Sequence, residues 1–241
     1  MEFQKTYKHI NPYLYFEIFK NPQWYLKLEH ELSEFFYNYN GNKEEKSEQW
    51  FEKRKEFIEM VAELLKNNEI VLAKSGKNWD EERLPVDTIV IHHTSSPPDK
   101  TIDFINALGF IRLYSSVYGN GKSDQYGKPI WSNHFYQEKQ IFIAYHYLIK
   151  PDGSFENILQ NSQIGWHCGD WEYNRRSIAI CFFDDLKEKG PTENALQTAR
   201  EIIKKYPNCH ILGHREIKDS TFCPGNLFLG DTGWKNKLLI V

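Results

Sequence analysis

At 241 residues the chain has room for one large domain, or for one domain and a smaller companion. It is 40% hydrophobic and 15% aromatic, enough apolar matter for a core, which excludes global disorder. The net charge is -3, with 13 Lys/Arg against 16 Asp/Glu in residues 1–85 and 17 of each in residues 86–241, so neither part is the polycation that nucleic acid selects.

The first residues, Met1 to Lys8, lack the apolar stretch and small-residue cleavage site of a signal peptide. No stretch approaches the roughly 20 apolar residues of a membrane helix. The expectation is a chain that folds in the cytoplasm and meets a cell wall only if it is released. Residues 11–40 are rich in Tyr, Phe and Trp, with Pro12 and Pro22 as helix starts. A helix is predicted from about Lys43 to Asn67, where Trp50, Phe51, Phe57, Ile58, Val61, Leu64 and Leu65 recur on one face. Residues 74–85 read as a polar linker. A boundary near residue 84 then separates a helical region, 1–84, from the domain that follows.

Beyond it Val86 to Ile91 is β-branched and apolar, a buried strand by composition. Thr101 to Val117 has helical periodicity. A polar loop then runs from Gly119 to about Gln140, carrying Tyr126, Trp131, His134, Phe135 and Tyr136. Loops of that length are commonly functional. It either walls a groove or packs over the sheet. Ile141 to Ile149 reads as a second strand, turned at Pro151-Asp152-Gly153 into a hairpin partner, Ser154 to Leu159. Ser177 to Phe183 is another buried strand, Pro191 opens a helix to about Tyr206, and Cys209 to Leu212 is a short strand that delivers His214. Strands alternating with helices predict an α/β domain around a mixed sheet, the hairpin being its antiparallel part.

The stretch Gly213 to Gly225 sets His214 and Cys223 nine positions apart on a connection punctuated by Pro224 and Gly225. An imidazole and a thiolate so placed can reach one divalent ion, and zinc is the usual occupant of mixed His/Cys sites. A third ligand is available in Ile91-His92-His93-Thr94, at the end of the first strand. Three protein ligands leave one tetrahedral position open, the mark of a catalytic rather than a structural zinc. The four cysteines, 168, 181, 209 and 223, show no disulfide spacing, consistent with a reduced protein whose Cys223 is held by metal.

Five blocks carry a resemblance. They are Ile91-His92-His93-Thr94, Tyr145 to Ile149 with Asp152-Gly153, Gly165-Trp166-His167, Asn174 to Ile180, and Gly213-His214-Arg215 with Thr221 to Gly225. In order and spacing they resemble the zinc N-acetylmuramoyl-L-alanine amidases of the type-2 amidase and peptidoglycan recognition protein superfamily. The likeness spans about residues 86–235, while residues 1–84 have no counterpart in it. It implies a mixed sheet flanked by helices, and zinc on His92, His214 and Cys223, with His93 as the fallback for the first ligand. It also implies Tyr145 beside the metal as a catalytic hydroxyl. Members without that tyrosine carry a glutamate where this chain has Cys181. Thr221 is implied as a second catalytic hydroxyl, its plain reading being a turn cap. His167 is implied as a residue of the substrate groove, and His146 is read as structural. The implied substrate is peptidoglycan or a soluble muropeptide, cut between N-acetylmuramic acid and L-alanine. The alternative is a non-hydrolytic recognition module, whose members typically lack the cysteine ligand. A metal closed by a fourth ligand, His93 or Cys209, would make the site structural. The N-terminal helices are read as a packed subdomain, a wall-binding module or a docking surface for a partner.

Overall fold

The structure is a computed structural model and describes residues 7–28, 47–96, 98–117, 123–132, 134–136 and 138–239. Its helices are α1 (Pro12–Phe19), α2 (Trp24–Lys27), α3 (Glu48–Lys66), α4 (Ile102–Val117), α5 (Trp171–Asn174), α6 (Glu193–Ile203) and α7 (Lys235–Leu239). Its strands are β1 (Thr88–His93), β2 (Phe135–Tyr136), β3 (Lys139–Gln140), β4 (Tyr147–Ile149), β5 (Phe155–Asn157), β6 (Ser177–Phe182) and β7 (His210–Gly213). The chain forms two compact units. One comprises Met1–Asn78 with Thr101–Phe142, the other Trp79–Lys100 with Ile143–Val241. Among the described residues no helix is long and apolar enough to cross a membrane.

The first unit is helical. Asn11 caps α1 by accepting from the Tyr13 and Leu14 N–H groups, and Pro12 supplies the preset first turn. Ser47 caps α3 in the same way through Trp50, and Phe57, Ile58, Met60, Val61 and Leu64 form its buried face. The core is aromatic: Trp24 is fully buried against Phe19, Phe110 and Trp131, with centroids at 4.9, 5.5 and 4.7 Å. Gln140 knits the loop to this core. Its amide donates to the Ala73 and Pro129 carbonyls and accepts from the Trp131 and Ser132 N–H groups, so a buried polar group is fully used. Most of the expected 119–140 loop is thus folded into the helical unit, ending in the β2–β3 hairpin. Residues 118–122 lie outside the described residues.

The second unit is an α/β layer. Among the described residues its sheet has five strands in the order β5-β4-β6-β1-β7. The β1–β6, β1–β7 and β4–β6 pairs are parallel and β4–β5 is antiparallel, so the sheet is mixed and its odd pair is the hairpin. Both central strands, β1 and β6, are buried along their whole length, as the apolar runs at residues 89–91 and 178–182 require. Ile89, Ile91, Ile178, Ile180 and Phe182 pack with Leu196, Ala199, Ile202 and Ile203 of α6. Thr192 caps α6 one residue after Pro191.

One predicted strand is shorter in the structure. Of Ile141 to Ile149 only β4, its last three residues, joins the sheet. Ile141 and Phe142 belong to the helical unit, where Phe142 packs edge-on to Phe110 at 5.0 Å. One apolar run therefore serves two cores, a division that composition alone does not reveal.

Candidate metal centre

Strand alternation decides which histidine of the pair faces the site. Ile89 and Ile91 of β1 face α6, so His92 points to the opposite side of the sheet. His93 returns to the first side. There its Nδ1 accepts from the Leu186 N–H at 3.0 Å and its Nε2 meets the Ser95 hydroxyl at 2.9 Å. Both nitrogens of His93 are committed.

The connection after β7 brings the other two residues to His92. The Gly213 N–H donates to Glu216 at 2.7 Å, tightening a 3₁₀ turn over His214–Glu216. The Arg215 N–H donates to the Cys223 carbonyl at 2.8 Å and closes the loop on itself. Thr221 Oγ1 accepts from the Cys223 N–H at 3.1 Å. Gly225 follows with φ +131°, and a Cβ there would run into the Leu186 carbonyl. Only glycine lets the chain pass so close. The outcome is that one ligating atom each from His92, His214 and Cys223 all lie within 4.8 Å of one another. Cys223 Sγ is 3.6 Å from His92 Nδ1. Neither His93 nor Cys209 joins this group, and Cys209 Sγ lies 3.7 Å from the Val86 carbonyl instead.

The donor set fits zinc. Two neutral imidazoles and one thiolate suit a borderline ion, and three ligands leave a fourth position for water or substrate. Burial, followed by the neighbouring imidazoles His167 and His214, holds His92 well below the usual histidine range. Burial lowers His214 as well. Both rings are therefore kept in the neutral form that ligates. Burial also pushes the Cys223 thiol up to about 12, so a metal must displace its proton on binding. The remaining ring nitrogens are occupied. His92 Nε2 lies 3.0 Å from His167 Nδ1, and His214 Nε2 donates to the Cys168 carbonyl at 3.1 Å. That leaves Nδ1 of each ring for the metal.

Tyr145 stands beside this cluster, its ring centroid 5.2 Å from that of His92. Burial holds the Cys181 thiol well above the usual range. Cys181 itself sits opposite His92 in the β1–β6 register. His146 is held by the Ala179 N–H on Nδ1 and the Gln163 carbonyl on Nε2, with no exposed surface. His167 is buried at 6% exposure behind His92, with Ser177 Oγ 3.1 Å from its Nε2. The adjacent Trp166 is 39% exposed and stacks on Trp79 at 4.2 Å, 9° from parallel. Sequence reasoning did not single out Ser177, Asn174 or the Cys168 carbonyl. The first two stand in the Asn174-to-Ile180 block, but nothing in their residue types marks a contact to a ligand.

A mixed sheet with two histidines and a cysteine clustered at the end of a central strand defines an α/β domain with a candidate metal centre. The family model for N-acetylmuramoyl-L-alanine amidase matches residues 82–226, and the chain belongs to that family. The family comprises peptidoglycan amidases and peptidoglycan recognition proteins. The chain is 32% identical over 100 residues to peptidoglycan-recognition protein SD of Drosophila melanogaster, covering 38% of this chain and 52% of that protein. It thus spans about half the length of the curated relatives that it matches. Among solved structures it is similar to the endolysin amidase LysCS of Clostridium intestinale, at 19% identity and a TM-score of 0.44, covering 64% of this chain and 82% of that one. It is also similar to the endolysin of the Thermus scotoductus bacteriophage Ph2119, at 25% identity and a TM-score of 0.43, covering 64% and 83%.

Proposed function

We propose that the protein is a zinc-dependent amidase that hydrolyses the bond between the lactyl group of N-acetylmuramic acid and the L-alanine of a stem peptide. The observation that carries this reading is the approach of His92, His214 and Cys223 to within 4.8 Å, with Tyr145 beside them. The two neutral imidazoles and the thiolate would hold the ion. When bound, zinc activates water at neutral pH and polarises a carbonyl. The chain's own part is to orient the scissile amide and stabilise the charge that grows on its oxygen. Tyr145 donates its hydroxyl hydrogen bond there, and a preorganised donor of this kind contributes roughly 3–4 kcal/mol. Thr221 uses its oxygen to accept from the Cys223 N–H, which fixes the hydroxyl and leaves its proton to donate. The C–N bond breaks as the departing amino group takes up a proton, and free peptide leaves with L-alanine at its N-terminus.

The second reading is recognition of peptidoglycan without hydrolysis, favoured by the match to a recognition protein. One experiment separates the two. The purified, zinc-loaded protein is incubated with a muramyl peptide, and the products are followed by mass spectrometry with and without chelator. Chelator-sensitive release of peptide beginning at L-alanine is expected. Binding of the muramyl peptide without cleavage, in protein that holds stoichiometric zinc, would replace the amidase reading by recognition. Comparing intact sacculus with soluble muropeptide then tells a wall-lytic enzyme from one that processes fragments.

A further inference from the structure

One short segment touches both candidate histidine ligands from behind. His167 and Cys168 follow each other in the chain. The ring of the first lies 3.0 Å from His92 Nε2, and the carbonyl of the second accepts from His214 Nε2 at 3.1 Å. A ring that ligates through Nδ1 carries its proton on Nε2, so His92 must donate to His167 Nδ1. His167 then carries its own proton on Nε2 and donates it to Ser177 Oγ at 3.1 Å. The tautomers along this path are mutually consistent. All three side chains are buried, His167 and Ser177 at 6% and 0% exposure and His92 at 1%. Water therefore does not compete for these bonds.

The segment is itself clamped. Asn174 Oδ1 accepts from the His167 N–H at 3.2 Å, the Cys168 N–H at 3.1 Å and the Cys168 thiol at 3.0 Å. The Asn174 carbonyl accepts in turn from Arg83 at 3.1 Å. Asn174 is the last residue of α5, whose first turn is capped by Asp170.

We propose that His167 is a positioning residue that, with the neighbouring Cys168 carbonyl and clamped by Asn174, fixes the tautomer and aim of both histidine ligands. This rests on the zinc-site reading above. Outer partners of this kind raise ligand basicity, and losing one typically weakens metal binding by roughly 10- to 100-fold. An asparagine at 167 can place its Oδ1 near the position of the imidazole Nδ1 and still accept from His92. A phenylalanine cannot.

The test measures zinc affinity by chelator competition, and the absorption spectrum of the cobalt-substituted protein, for the wild type, His167→Phe, His167→Asn and Ser177→Ala. Circular dichroism confirms that each is folded. The expected result is a roughly 10- to 100-fold loss of zinc affinity in His167→Phe with a shifted cobalt spectrum. Substantial recovery is expected in His167→Asn, and a smaller loss in the same direction in Ser177→Ala. Wild-type zinc affinity in folded His167→Phe would overturn the proposal, and a raised KM with unchanged metal affinity would return His167 to the substrate groove. Should His167→Phe fail to fold, unaltered affinity and spectrum in Ser177→Ala would overturn the relay. If the wild type takes up neither ion, the zinc-site reading fails first, and the relay falls with it.

Discussion

In the proposed amidase, Tyr145 and Cys223 would divide the work of the site between charge stabilisation and metal retention. Replacing Tyr145 by Phe removes one hydroxyl and leaves the three ligands in place. The expected outcome is a fall of roughly 10²- to 10³-fold in kcat with zinc content unchanged, measured by turnover and elemental analysis of one preparation. Cys223→Ser replaces a soft thiolate by a hydroxyl that does not ionise near neutral pH. Zinc should fall from stoichiometric to trace, and retained metal would remove Cys223 from the ligand set. The clustering of His92, His214 and Cys223 was legible because His and Cys are rare and chemically specific. The choice of His92 over His93 follows from β1 alternation, once Ile91 is known to face α6. The placement of His167 was not legible. Whether a histidine lines a groove or backs a ligand depends on where its ring turns. A backbone carbonyl such as that of Cys168 has no signature in sequence at all.

The central strands and the loop from His214 to Cys223 make different demands on the chain. Ile180 of β6 is fully buried between the sheet and α6, so Ile180→Ala should cost about 2–5 kcal/mol in denaturant unfolding. Gly225 tests the loop. At φ +131° and against the Leu186 carbonyl, Gly225→Ala should cost about 1–3 kcal/mol and also lower zinc occupancy through Cys223. Unchanged stability and metal content would mean that the loop has slack. Strand and helix positions of the sheet unit were readable because β1 and β6 are continuous apolar runs and α6 repeats its apolar residues at helical spacing. The run from Ile141 misled because its first residues fill a different core, around Phe110, and hydrophobicity does not say which core it fills.

At the scale of the molecule, His92 and His167 make stability depend on pH. Burial, then neighbouring histidines, holds both well below their unfolded value of about 6.5. Below that value the unfolded chain binds more protons than the folded one. Their contribution is therefore complete above about pH 6.5 and lost as pH falls towards the folded values. The melting temperature of metal-free protein should drop between pH 7.5 and 5, and a flat profile would contradict it. Domain organisation yields another prediction. A linker near residue 84 suggests that residues 1–84 can be cut away. Yet Trp24 packs on Phe110 and Trp131, so the fragment from residue 85 should expose that aromatic face and aggregate. A soluble fragment melting like the full chain would show otherwise. The same discontinuity orders events during synthesis. Helices α1–α3 leave the ribosome long before Phe142, the last residue of their unit, which follows Asn78 by 64 residues (142 − 78). At ~5–20 residues per second their apolar faces wait roughly 3–13 s for the unit to be completed at Phe142. For that interval the nascent chain is a client for whatever holds hydrophobic helices apart.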